Sequence, residues 1–111
     1  MELYKKGDTV GVLISPGFGA GWYTWADRTF PINVALDKRV IEKWLELKGD
    51  PNGCEKFKEW LSDITNGAYF YAGGWDDLEL VFVPEGSIFK IDEYDGNESL
   101  LLVTDPEYMI V

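Results

Sequence analysis

The chain of 111 residues contains no histidine and a single cysteine, Cys54. Without an imidazole, Ser-His-Asp and Cys-His nucleophilic arrangements are excluded. A zinc site would have at most one thiolate beside carboxylates, which is not a ligand set zinc normally takes. One cysteine also excludes an internal disulfide, as expected of a protein kept in a reducing compartment. Long apolar runs are lacking too. The stretch Leu78 to Val83 is interrupted by Glu79, far from the ~20 residues of a membrane span. The first eight residues carry Lys5, Lys6 and Asp8 but no apolar run of signal-peptide length. These absences lead to the expectation of a cytoplasmic protein without membrane attachment.

Positive charge is missing from one half. Residues 1–59 hold nine Asp/Glu and nine Lys/Arg, whereas residues 60–111 hold eleven Asp/Glu and only Lys90, so the whole net charge of −10 falls on the second part. Direct nucleic-acid binding is disfavoured, because phosphate contacts need clustered Lys and Arg. An acidic half either keeps the protein soluble or forms a face that meets a basic partner.

What is present is apolar bulk: 46% hydrophobic residues, with five Trp, six Tyr and six Phe. That is enough for one core in a single domain spanning 1–111. Val10, Val12 and Ile14 alternate with Thr9, Gly11 and Leu13, predicting a strand with one face inward. A glycine-rich loop follows over 16–22, then an extended piece around Ile32 to Leu36. Asp37 is placed as an N-cap for a helix carrying Val40, Ile41, Trp44 and Leu45 and stopped by Gly49. Asn52 with Glu55 has the form of a capping box, opening a second helix with Cys54, Phe57, Trp60, Leu61 and Ile64 on one stripe and Asn66-Gly67 at its end. Cys54 reads as an inert member of that stripe. Strand-like runs then occupy Tyr69 to Tyr71, Leu78 to Val83, Ser87 to Glu93, Asn97 to Val103 and Tyr108 to Val111, with Val83-Pro84-Glu85-Gly86 as a turn. The expected class is α+β: an antiparallel meander, with room to become partly barrel-like, and two consecutive helices inserted after the first strand.

Gly17, Gly19 and Gly21 form G-x-G-x-G, superficially like a phosphate-binding loop. The dinucleotide fingerprint needs G-x-G-x-x-G opening a helix and a P-loop needs a lysine, and neither follows here. No cofactor is therefore expected. Gly19-Ala20-Gly21-Trp22 is echoed by Ala72-Gly73-Gly74-Trp75, where bare glycines beside an indole leave space for a flat ligand or for the protein's own rings. Trp22, Trp25 and Trp75 are thus candidate binding residues. Asp50-Pro51-Asn52-Gly53 hints at a calcium loop, but its first position would be Lys48, whose charge excludes the ion.

Asp95-Gly96 between strands is a hairpin signal, and a two-residue turn there sets Phe89 opposite Leu102, Ile91 opposite Leu100 and Glu93 opposite Glu98. Facing carboxylates splay into water, receive a cation, or work as an acid–base pair. The solvated tip is the plainest of these readings. The candidate acidic face comprises Asp76, Asp77, Glu79, Glu85, Asp92, Glu93, Asp95 and Glu98.

The run Gly17 to Trp22 with Thr24-Trp25, then Gly73-Gly74-Trp75, Val83-Pro84-Glu85-Gly86-Ser87 and Ile91 to Glu98 resembles a group of small acidic proteins found in bacteriophages and bacterial genomes. Its marks are a G-[FY]-G-A-G-W loop and an E-Y-D-G-x-E hairpin. The resemblance covers both ends of the chain and only loosely the helices. It implies a phage or prophage setting, in which small acidic proteins inhibit host machinery, and it supplies no catalytic residues. Three functions are weighed on this basis. The first is a non-enzymatic inhibitor that sets its acidic face against a basic host protein. The second is a small-ligand binder using the tryptophans, and the third a carboxylate-based hydrolase around Glu93 and Glu98.

Overall fold

The computed structural model describes residues 1–102. The run expected at Tyr108 to Val111 lies outside the described residues. The fold is α+β, with two helices and five antiparallel strands in two sheets. Strand β1 (Lys5–Lys6) turns through Gly7, at φ +60°, into β2 (Thr9–Ile14). Helices α1 (Lys38–Leu47) and α2 (Gly53–Ile64) follow. A single 3-10 turn, Trp75–Asp77, leads into β3 (Glu79–Pro84), and β4 (Phe89–Tyr94) and β5 (Asn97–Leu102) form the closing hairpin.

β3 pairs with β2, not with β4, so the strands divide into a sheet ordered β1-β2-β3 and a separate β4-β5 ribbon. No continuous meander and no closed barrel form among the described residues. The hairpin register is the one that the Asp95-Gly96 turn dictates, with Phe89 against Leu102, Ile91 against Leu100 and Glu93 against Glu98. Both turn residues have positive φ, +50° and +85°, as this turn type requires.

β2 is buried on both faces, which corrects the expectation of one inward face. Leu13 joins Trp22, Val34, Ile41, Trp44, Phe57, Leu61, Phe70 and Trp75 under the helices. Val10, Val12 and Ile14 on the opposite face pack with Val83, Ile91 and Leu100 against the hairpin. The strand is thus the middle of three layers: helices, three-stranded sheet, ribbon. Gly11 allows this on the helix side, since Leu80 and Tyr4 lie 3.0 and 3.1 Å from where its Cβ would stand.

Asp37 caps α1 as expected. It is buried, and its Oδ1 accepts from Arg39 N at 2.9 Å while the Arg39 guanidinium bonds the same carboxylate at 2.8 Å. Asn52 makes no capping bond, so the expected capping box does not form. Asp50 takes over instead, accepting from Asn52 N at 2.7 Å and from Lys56 Nζ at 2.6 Å. Ile32 to Leu36 is a turn closed by Asn33 Oδ1, which accepts from the N–H groups of Ala35 and Leu36 at 3.0 Å. Tyr69 to Tyr71 joins no sheet. There Phe70 turns inward, edge-on to Trp22 at 4.9 Å, while Tyr69 and Tyr71 face water.

Candidate functional site

The glycine-rich loop leaves β2 at Ser15 and is clasped by the tip of the hairpin. Backbone groups make the clasp: Glu98 N donates to Ser15 O at 2.8 Å and Gly19 N to Asp95 O at 2.7 Å. Gly96 presses on Ala20 so closely that a Cβ there would stand 2.5 Å from Ala20 N. That contact has no room for a side chain, which is why glycine stands at position 96.

At the centre is the Glu98 carboxylate, only 1% exposed. Its Oε1 accepts from Ser15 N at 2.9 Å. Its Oε2 accepts from Trp22 N at 2.9 Å, Thr24 N at 2.8 Å and Thr24 Oγ1 at 2.6 Å. The glycine loop therefore does cradle an anion, but the anion is the protein's own side chain. The cost of burying a charge is offset by four donors. Glu98 is consequently not part of an exposed acidic face, nor is it a solvated tip residue facing Glu93. Glu93 stays exposed and accepts from Trp25 Nε1 at 2.9 Å. With Glu98 held by three backbone N–H groups and the Thr24 hydroxyl, Glu93 and Glu98 do not form a free carboxylate pair for acid–base work. The sequence signal for this arrangement is a loop rich in backbone N–H groups without side-chain acceptors, close to a carboxylate that alternation turns inward.

The tryptophan candidates separate. Trp22 is fully buried, donating Nε1 to Val34 O at 2.9 Å, and Trp75 is 8% exposed among Phe57 and Trp22. Trp22 lines no open pocket, and Trp75 shows only an edge, to the groove beside α1 and to the hollow beside Cys54. The space beside the glycines is filled by other rings of the protein: Trp25 Cδ1 is 2.7 Å from the place of a Cβ on Gly21, and the Tyr71 ring is 2.6 Å from that on Gly73. Trp25 and Tyr71 stack on each other at 6.2 Å with 18° between planes, both partly exposed. Phe18 and Tyr94 make a second exposed pair, edge-on at 6.5 Å. Sequence reading missed Phe18, Tyr71 and Tyr94.

Of the eight candidate acids, five stand around this loop. The Asp77 carboxyl lies over Gly17, and Asp76, next in the same 3-10 turn, lines hollows that also hold Lys48 and Lys58. Glu79 pairs with Ile14 where β2 enters the loop, Asp95 holds Gly19, and Glu93 holds Trp25. None of the five has a lysine or arginine within ion-pair distance among the described residues. The other three depart. Glu98 is buried, Glu85 sits at the far end of the β2-β3 ladder bonded to Lys5 at 2.7 Å, and Asp92 meets Lys90 at 3.4 Å.

Cys54 lies behind this region, its Sγ 4.0 Å from Ala72 O. Burial pushes its thiol pKa up, which disfavours the nucleophilic thiolate. No group of three or more metal-ligating side chains assembles among the described residues, and no helix there is long and apolar enough to cross a membrane. No protein-family model, curated protein or solved structure matches the chain.

Proposed function

We propose that the chain is a non-enzymatic interaction protein, of the kind phages use to inhibit a host nucleic-acid-binding or defence protein, and that it engages a basic surface of that partner. The face is the loop end of the molecule rather than the whole acidic half. The observation that carries this reading is the mixture found there: five carboxylates engaged in no ion pair among the described residues, together with the exposed rings of Phe18, Trp25, Tyr71 and Tyr94. A carboxylate draws a lysine or arginine, and an exposed aromatic face then takes the arginine plane or its aliphatic stem. Exposed aromatics are also the residues that interfaces favour. Electrostatic attraction of this type acts chiefly on the association rate and is screened over ~10 Å at about 0.1 M salt.

The test is capture of the partner from host lysate on the immobilised chain, followed by binding kinetics on the recovered protein. Raising the salt from 50 to 300 mM is expected to slow association at least several-fold. The quadruple variant Asp76→Asn, Asp77→Asn, Glu79→Gln, Asp95→Asn is expected to weaken binding while melting like the parent. A partner that binds the quadruple variant as tightly as the parent defeats the reading.

A further inference from the structure

The outer edge of β3 offers a second mode of recognition beside the acidic loop end. Gly11 N and Leu13 N bond away from β3, to Tyr4 O at 2.7 Å and Ala35 O at 2.9 Å. Backbone groups alternate along a strand, so the residues of β2 that bond β3 are Val10, Val12 and Ile14, through Val83, Val81 and Glu79. The N–H and C=O groups of Leu80 and Phe82 therefore point outward, and no strand pairs with them among the described residues. Pro84, also outward, ends the edge without a donor to lose. An uncharged four-residue edge, Leu80 to Val83, is what proteins usually protect with lysine, a bulge or a covering element.

Beside this edge runs a groove of about 600 Å³ between α1 and β3, floored by Trp44, Leu45, Trp75 and Phe82. Asp76 and Glu79 stand along it at the end where β3 begins, and Lys48 at the end of α1 also lines it, its ammonium over the Trp44 ring. A strand added to the edge would send alternate side chains into that groove, since Leu80 and Phe82 already face the helix side. The chemistry at the two ends differs. The Pro84 end carries the Lys5–Glu85 pair and Lys6 over the Phe82 ring, whereas the two carboxylates of Asp76 and Glu79 stand at the other end.

We propose that β3 captures an extended segment of a basic partner by strand addition, antiparallel, with apolar residues at alternate positions and a lysine or arginine at its C-terminal end opposite Glu79. Charge selects this occupant over a second copy of the chain, because two copies would each bring a net charge of −10. The inference rests on the proposed recognition of a basic surface and specifies how a flexible part of that partner is held.

The probe is a capped octapeptide alternating threonine and leucine and ending in two arginines, titrated into the full chain by calorimetry and followed by amide NMR. Binding with slowed amide exchange at Leu80 and Phe82 is expected. N-methylating the peptide on its pairing edge leaves charge and composition intact, and is expected to weaken affinity about tenfold or more. Phe82→Pro, which removes an outward donor without touching the β2 ladder, is expected to act likewise. Equal binding by the N-methylated peptide overturns strand addition. If Asp76→Asn with Glu79→Gln still weakens that methylated peptide, recognition of a basic surface stands while the edge proposal falls. Concentration-dependent dimerisation abolished by Phe82→Pro would assign the edge to a second copy and overturn the proposal as well.

Discussion

Glu98 and Trp22 lie 76 positions apart in sequence, yet the Glu98 carboxylate accepts the Trp22 backbone N–H at 2.9 Å. Through that bond and three others, one side chain of the last described strand fixes the course of the loop that follows β2.

Glu98→Gln should therefore act as a folding lesion rather than a binding lesion. The amide turns an NH₂ toward donors and leaves at least one of them unpaired in the interior, at a cost of about 2–4 kcal/mol. Thr24→Ala removes one donor and retains the charge, at a cost near 1 kcal/mol. Urea midpoints on the two variants check the order, and a Glu98→Gln protein as stable as the parent would contradict the buried network.

Glycines that share a backbone conformation should differ sharply in tolerance. Gly96 and Gly7 both have positive φ, but a Cβ on Gly96 meets Ala20 whereas one on Gly7 meets nothing within 4 Å. Gly7→Ala is expected to cost about 1 kcal/mol, the conformational penalty alone. Gly96→Ala adds a clash with backbone that cannot rotate away, and should cost about 3 kcal/mol or more, with loss of the Gly19–Asp95 bond visible as faster amide exchange at Gly19.

The three candidate tryptophans should separate in the same experiment. Trp22→Ala empties the centre of the helix-side core and should cost about 3–5 kcal/mol. Trp25→Ala breaks only the surface stack on Tyr71 and the bond to Glu93, worth about 1 kcal/mol. If the loop end is the binding face, Trp25→Ala weakens partner binding with little change in melting temperature. The reverse pattern would place the interface elsewhere.

Acid should reach the fold through Asp37. Side-chain hydrogen bonding from Arg39 holds its carboxyl below the ordinary 3.8, outweighing the opposing effect of burial. A carboxylate whose pKa is lower folded than unfolded contributes stability that is fully present above the unfolded value and is lost as pH falls through the folded one. Stability of the parent should hence decline below about pH 4. Asp37→Asn, which also loses the guanidinium bonds, should lie about 1–2 kcal/mol lower at pH 7 and show a shallower acid limb. Parallel acid limbs in parent and variant would remove Asp37 from the acid response.

The parts of the fold legible in sequence are those determined locally. Asp95-Gly96 permits one short turn, and that turn alone fixes the register of β4 with β5. Asp37 caps its helix through its own neighbours. The expectations that failed depend on residues far away in the chain. Leu13 and Gly11 look like an outward face until the helices cover them, while a ribbon from residues 89–102 takes the side of Val10, Val12 and Ile14. Tyr69 to Tyr71 has the aromatic content of a strand, but Phe70 is drawn between Trp22 and Phe30 and the backbone follows it. Glu98 reads from sequence as a surface residue, because a carboxylate is rarely buried. Three of its four partners are backbone donors, which no side-chain pattern displays.

The central position of β2 has a consequence for synthesis. Its odd residues bond the N-terminal strand, the turn at Ala35 and, from Ser15, Glu98 at a separation of 83 positions. At ribosomal speeds of about 5–20 residues per second, β2 waits several seconds or longer for β3 and the hairpin. Throughout that interval a six-residue strand, apolar on both sides, has β1 and the turn at Ala35 along one edge and no strand along the other. The nascent chain should be a chaperone client until its last quarter emerges, and fusion of a slowly translated segment just before β3 should lower its soluble yield.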